Sequence, residues 1–305
     1  MNRAMVRKAA ERIAGKVRRT PILTTEIDGR RVHLKLELLQ HTGSFKPRGA
    51  FNRVLGESPI PEAGVLAASG GNHGAALAFV AHSLAIPCEI FVAEVTPEIK
   101  RQNIARYGAK ITVGGPLYAD ALEASLRRAE ETGAMEIHAY DHPETVAGQG
   151  TMALELDEQI PGIGTVYMAA GGGGFIAGAA GWWEGGVELV AVEPEGAPTI
   201  NAALRAGRPV PVEVDSVAAD SLGSRTVGHH PFDAISRGVT QSVLVPDQAI
   251  REAQRFLWRE FRLVAEPGGA AALAGLRTGA FVPERPGEVV VVVCGSNCDP
   301  ATVTD

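Results

Sequence analysis

Short runs of β-branched and apolar residues alternate with stretches of helical period along almost the whole chain. Runs at 32–38, 65–68, 89–92, 110–113, 166–169, 188–192, 243–245 and 288–293 have the length and the Val/Ile content of strands. Helical spacing fills much of the sequence between them, at 72–85, 98–107, 117–131 and 249–261. Thr96 and Pro97 supply an N-cap and first-turn pair for the second of these helices, and Gly108 follows its end. Strands that are apolar throughout belong in sheets covered on both faces. The alternation therefore predicts an α/β protein with two open, mainly parallel sheets and flanking helices. No internal repeat and no Pro/Ser-rich linker interrupts the pattern. Ligands of such sheets bind beyond the carboxyl ends of the strands, so the loops there are where chemistry is sought.

Length and composition narrow the class. At about 150 residues per domain, 305 residues accommodate two domains, each large enough to bury a core. Hydrophobic residues at 45% and charged residues at 21% exclude bulk disorder and fibrous architecture. A net charge of −6 gives no general field for nucleic acid or an anionic membrane, and 5% aromatics leave little for base stacking. One basic cluster lies between Arg3 and Arg19, with Glu11 as its only acid. It lacks the apolar core of a signal peptide, and Ile13, Ala14 and Val17 read as one face of a surface helix.

No charged residue occurs from 165 to 183, a length sufficient for a bilayer span. Four consecutive glycines at its centre each cost a helix roughly 1 kcal/mol, so the segment reads as strand, turn and helix, and no membrane association is expected. The cysteines, Cys88, Cys294 and Cys298, are too few for a disulfide framework and complete no zinc site. A reducing, cytoplasmic setting fits them.

Four segments at strand ends carry candidate chemistry. Ser44-Phe45-Lys46-Pro47-Arg48-Gly49-Ala50 fixes a lysine between an aromatic residue and a proline at the entry to a helix. Such an amine can form a Schiff base with carbonyl compounds, pyridoxal phosphate among them, although an isolated lysine is ordinarily solvated. Ser69-Gly70-Gly71-Asn72-His73-Gly74 opens the next helix, where backbone N–H groups and the helix dipole favour an anion such as a substrate carboxylate. Asn72 can cap that helix or donate to a cofactor oxygen, and His73 reads as structural rather than as a base. Taken alone, the segment is an ordinary glycine-rich turn.

Gly171-Gly172-Gly173-Gly174 lets backbone amides close on a phosphate. It matches neither the nucleoside-triphosphate pattern GxxxxGK[ST] nor the dinucleotide pattern GxGxxG, and tight packing alone explains it equally well. Cys294-Gly295-Ser296-Asn297 ends the last strand; a free cysteine there is by default a buried, inert thiol.

In this order and spacing the four segments resemble the serine/threonine dehydratases, in the tryptophan-synthase-β-like (fold type II) group of pyridoxal-phosphate enzymes. The likeness runs from Thr20-Pro21-Ile22-Leu23 through Gly148-Gln149-Gly150-Thr151, Val192-Glu193-Pro194-Glu195 and Val264-Ala265-Glu266-Pro267-Gly268-Gly269-Ala270 to the Cys294 segment. It implies a larger cofactor-binding domain, 1–47 with 137–305, and a smaller inserted α/β domain, 48–136. It further implies that Lys46 carries pyridoxal 5'-phosphate as an imine and that Phe45 packs on the cofactor ring. Asn72 would meet the ring's 3′-oxygen, and Gly171, Gly172, Gly173 and Gly174 its phosphate. Ser69, Gly70, Gly71, Asn72 and His73 would hold the substrate carboxylate. Cys294 would face the pyridine nitrogen as a weak partner, leaving the ring a modest electron sink suited to β-elimination. The implied reaction converts a 3-hydroxy amino acid such as L-threonine or L-serine to a 2-oxo acid and ammonia, in a homodimer.

The departures from the family pattern also carry information. Racemases of the group have Ser where this chain has Gly70, so a second-face acid is missing. Ala219-Asp220-Ser221-Leu222 stands where Ala-Asp-Gly-Leu is usual. Relatives with a cation site use the Glu193 position, a carbonyl at the Ala197 position and an Asp where this chain has Thr199; with that carboxylate lost, no metal is expected. Tyr140 is expected near the site, and Trp182-Trp183 in packing. No regulatory domain is expected after residue 305. The rival readings are elimination from a 3-hydroxyaspartate, β-replacement with a sulfur nucleophile, racemisation, and a non-catalytic sensor of a phosphate ligand on an enzyme fold.

Overall fold

The computed structural model describes residues 1–304 and divides their strands between two sheets. The strands are β1 (Ile22–Ile27), β2 (Arg30–Lys35), β3 (Val65–Ala68), β4 (Cys88–Ala93), β5 (Lys110–Gly115), β6 (Met135–Glu136), β7 (Ile163–Ala169), β8 (Glu188–Pro194), β9 (Gln241–Val245) and β10 (Glu288–Val292). One sheet has the order β1-β2-β10-β7-β8-β9 and the other β5-β4-β3-β6. All pairs are parallel except β1 with β2. Both sheets are covered by helices, which is why β3 is buried at every residue and β10 at all but its first. Each sheet has its own hydrophobic core.

The topology positions the site. From β7 the chain winds outward to β8 and β9, while β10 joins β7 on the other side. From β3 it winds outward to β4 and β5, and β6 closes on the opposite side. At such a reversal the connections leave to opposite faces and open a crevice beyond the carboxyl ends. The ends of β3, β7 and β10 carry Ser69, Gly171 and Cys294, the residues to which the sequence had drawn attention.

Every strand expected from the pattern forms, and two more join them. The run read at 32–38 stops at Lys35 and gives way to a 3-10 turn, Glu37–Leu39. β1 pairs with β2 across Asp28 and Gly29, whose φ values of 50° and 75° make a two-residue hairpin turn; that Asp-Gly pair was the available signal. The N-terminal helix is Arg3–Arg12, and its buried side is Val6 and Ala9, continued by Ile13. Ala14 is exposed, because the backbone leaves the helix before Gly15 at φ 71°. The segment 165–183 is strand β7, the glycine turn and the helix Gly174–Trp183. Trp182 and Trp183 pack there, both indole N–H groups donating to Asp157 at 2.7 and 2.8 Å. Among the described residues no helix is long and apolar enough to cross a membrane.

Thr96 does not cap the helix that follows it. That helix is Glu98–Ala105, with Pro97 in extended conformation at the N-cap position and no side-chain cap.

The helix Lys46–Gly56 starts on a cluster of buried charges. Arg48 is 1% exposed and binds Glu37 with two nitrogens, at 2.7 and 2.8 Å, and Glu155 at 2.9 Å. Lys35, fully buried on β2, donates to Glu155 at 2.5 Å, Gln159 at 2.7 Å and the Thr20 carbonyl at 2.9 Å. Burial alone would raise the Glu37 carboxyl, but Arg48 and Lys35 outweigh it and hold the group below the usual carboxylate range. Removing Arg48 leaves the buried Glu37 carboxylate without its ion partner and Glu155 with Lys35 alone. R48M is therefore expected to destabilise the protein by about 3–5 kcal/mol, read as a lowered midpoint in denaturant unfolding.

Candidate active site

Between the two sheets lies a cavity of about 620 Å³, bordered by the ends of β3, β4, β7 and β10 and by the segment 219–226. All twelve residues singled out for the site line it. Lys46 is the first residue of its helix, and Pro47 follows in the first turn, where a missing N–H costs nothing. Its Nζ donates to the Ala139 carbonyl at 3.1 Å and lies 5.2 Å from the Phe45 ring centroid. Burial pushes the amine down to about 8, a shift that the nearby Glu266 only partly opposes. A sizeable neutral fraction near pH 8 makes it a nucleophile and a base.

Phe45 stacks one face on Phe175, ring centroids 3.8 Å apart and 8° from parallel, and its backbone N–H donates to the Cys294 carbonyl at 3.3 Å. Ser69 extends β3, its N–H bonded to Phe91 on β4, and the helix Asn72–Leu84 begins three residues later. The N–H groups of that first turn have no intrahelical acceptor. Asn72 presents a carboxamide oxygen that is buried without any partner, while its nitrogen donates to Glu266 at 2.5 Å. One of the two N–H groups on that nitrogen is thus engaged by a carboxylate, which leaves the second for another acceptor. His73 is buried and hydrogen-bonded to the Ile137 carbonyl at 2.6 Å. Burial, followed by the charge of Lys46, pushes it down to about 3, so the ring is neutral.

The glycine turn is a concave cradle. A Cβ on Gly172 would fall 2.6 Å from the Tyr140 ring, one on Gly174 2.8 Å from the Tyr140 Cβ, and one on Gly171 3.1 Å from Leu222. Gly173 has φ 93°, which side-chain-bearing residues avoid. Tyr140 does reach the site, where its hydroxyl accepts from Ser224 at 2.8 Å. Cys294 is buried, directs Sγ to the Gly268 carbonyl at 3.5 Å, and is pushed strongly up by burial, which keeps it a neutral thiol. All three cysteines are free.

The sequence reading missed Glu266, Lys100 and Asp220 as members of this wall. Glu266, the N-cap residue of the helix Pro267–Arg277, is buried, and its carboxyl is raised by desolvation despite the Asn72 bond. Lys100 reaches from the four-stranded sheet's side to Asp220 at 2.7 Å. A lone acid in a glycine-rich stretch and a lysine on a polar helix carry no local signal of this pairing. Elsewhere, Glu193 spends both oxygens on the N–H groups of Ile200 and Asn201 and the Ser242 hydroxyl, at 2.6, 2.8 and 3.0 Å. Burial still pushes it up to about 7. Thr199 turns its hydroxyl to the Ser224 carbonyl.

A buried amine of lowered basicity, an aromatic floor, a glycine cradle for a phosphate and an unpartnered buried carboxamide oxygen suit a phosphorylated aldehyde cofactor. The comparison with known proteins agrees. Residues 13–295 match the family model described as pyridoxal-phosphate dependent enzyme, and the chain belongs to that family. Its cofactor is pyridoxal 5'-phosphate. It is 33% identical to an L-threonine ammonia-lyase of Thermotoga maritima over 96% of this chain and 75% of that one. It is 34% identical to an L-threo-3-hydroxyaspartate ammonia-lyase of a Pseudomonas species, over 96% and 94%. The structure of maize serine racemase superposes with a TM-score of 0.93 at 31% identity, covering 99% of this chain and 95% of that one. The fold is that of a fold type II pyridoxal-phosphate enzyme.

The lowered basicity of Lys46 has a measurable consequence. If the cofactor aldehyde is taken up on Lys46, only the unprotonated amine reacts, and its share grows as pH rises through the folded-state value. The rate of pyridoxal-phosphate uptake, followed by the imine absorbance, is expected to climb with a midpoint near 8 instead of near 10.5.

Proposed function

We propose that the protein is an ammonia-lyase that removes water from a 3-hydroxy amino acid such as L-threonine or L-serine and releases a 2-oxo acid and ammonia. The observation that carries this reading is the buried Lys46 amine, lowered to about 8, lying in one cavity with an anion-binding helix start and a neutral thiol. Bound pyridoxal phosphate supplies an electron sink conjugated to the substrate amine. The amides of Gly171, Gly172, Gly173 and Gly174 would hold its phosphate, and Phe45 would support its ring. The loop 69–73 takes the substrate carboxylate. Lys46 Nζ then removes the proton from Cα. Cys294, a neutral thiol with no charge to share, leaves the sink modest, which favours a reaction relieved at once by a departing hydroxyl.

Two features bear on the rivals. Gly70 has no side chain, and one placed there would run into Thr96, which works against a second-face acid and racemisation. Arg225 is exposed on the cavity rim and has no ion pair among the described residues. It favours, as a second reading, a substrate with a side-chain carboxylate such as 3-hydroxyaspartate. A homodimer in a reducing cytoplasm goes with either reading, the latter in keeping with three free thiols.

Incubating the holoenzyme with L-serine, L-threonine and the 3-hydroxyaspartates, with and without sulfide, tests the proposal through 2-oxo acid release. Release from serine or threonine that K46A lowers by about 10³-fold or more is the expected result. Release from hydroxyaspartates alone would transfer the assignment to the second reading. D-amino acid without 2-oxo acid, or sulfide-dependent product, would overturn both.

A further inference from the structure

Thr96 has a hydroxyl free because the helix after it begins at Glu98 with Pro97 at the cap position. Its backbone is fixed on both sides: its N–H donates to Ala93 at 3.0 Å, and its carbonyl accepts from Arg101 Nε at 3.1 Å. Among the described residues Oγ1 makes no hydrogen bond, and Thr96 borders the cavity. The connection that holds it follows β4, next to the Ser69 connection after β3, and the two strands are paired in parallel. A Cβ added to Gly70 would lie 2.6 Å from both Cγ2 and Oγ1 of Thr96. Thr96 therefore fills the volume that a side chain at position 70 would take, two residues before the helix start, and it borders the same cavity as Gly71, Asn72 and His73. A hydroxyl held next to converging N–H donors completes a site for an oxyanion, since it can donate to an oxygen those amides already attract.

We propose that Thr96 Oγ1 donates a hydrogen bond to the α-carboxylate of the substrate, and that Gly70 lacks a side chain to make room for it. The inference rests on the reading of the cavity as an amino-acid site, and it makes Thr96 a binding residue that acts on affinity and leaves the chemical step alone.

The test uses the pyridoxal-phosphate-loaded enzyme and its T96V and T96S variants. Glycine and L-alanine, which have no 3-hydroxyl to lose, are titrated by the change in cofactor absorbance, and KM and kcat are measured with L-serine and L-threonine. T96V is expected to raise the dissociation constants and KM about tenfold or more, as loss of a hydrogen bond to a charged group does. Its kcat is expected to stay within about threefold, while T96S, which keeps the donor, stays near wild type on both measures. Ethanolamine, an amine without a carboxylate, is expected to bind wild type and T96V alike. Unchanged glycine binding by T96V overturns the proposal. So does equal impairment of T96S, which would assign the effect to the lost methyl contact, or a fall in kcat at constant KM. Failure of the elimination reading looks different: no 2-oxo acid forms with any substrate, while T96V still weakens glycine binding.

Discussion

The helix that presents Lys46 is seated on two cations and two carboxylates removed together from water. Arg48 lies two residues beyond Lys46 and cannot leave the protein interior without stranding Glu37. Glu37 belongs to the turn after β2, Glu155 to the helix Pro143–Gln159, and Lys35 to β2 itself. The end of β2 with its following turn, and a helix more than a hundred residues further on, are thus tied to the first turn of one helix. Such a cluster contributes little net stability compared with apolar packing, but it tolerates only one arrangement. That arrangement fixes where the Lys46 side chain departs.

Two cations on that turn are governed by the same physics with opposite results. Arg48 has carboxylates in direct contact, and its charge is held more firmly than in water despite complete burial. Lys46 meets a carbonyl oxygen, a neutral thiol and a more distant Glu266, so desolvation prevails and the proton is held loosely. His73 follows Lys46 in this respect, neutral by burial and by the neighbouring amine. The acid that shares the cavity with this amine is Glu266, whose own carboxyl burial raises.

The parts visible in the sequence were those whose signal is local. Apolar strands at 65–68 and 288–293 read directly, because burial on both faces leaves no polar alternation to confuse them. The glycine turns read directly because they follow strands. Several helices did not. Gly148 lies against the Arg48 carbonyl and Gly150 against that of Gly178, so glycine sits inside helices where backbones cross closely. To a local reading these residues mark turns. Glu266 and Lys100 were silent because their partners, Asn72 and Asp220, come from remote segments. Thr96 looked like a helix cap, and only the extended Pro97 after it shows otherwise.

The chain passes between the two sheets twice, once from β2 to β3 and once from β6 to β7. Lys46 belongs to the first passage and Ala139 to the second, and the amine nitrogen of one is bonded to the carbonyl of the other. The Lys46 nitrogen therefore lies on the seam where the halves of the molecule are stitched, close to the pivot of any rocking between them. Gaping of the cleft would carry its rim residues through wide arcs and barely displace the nitrogen at its root.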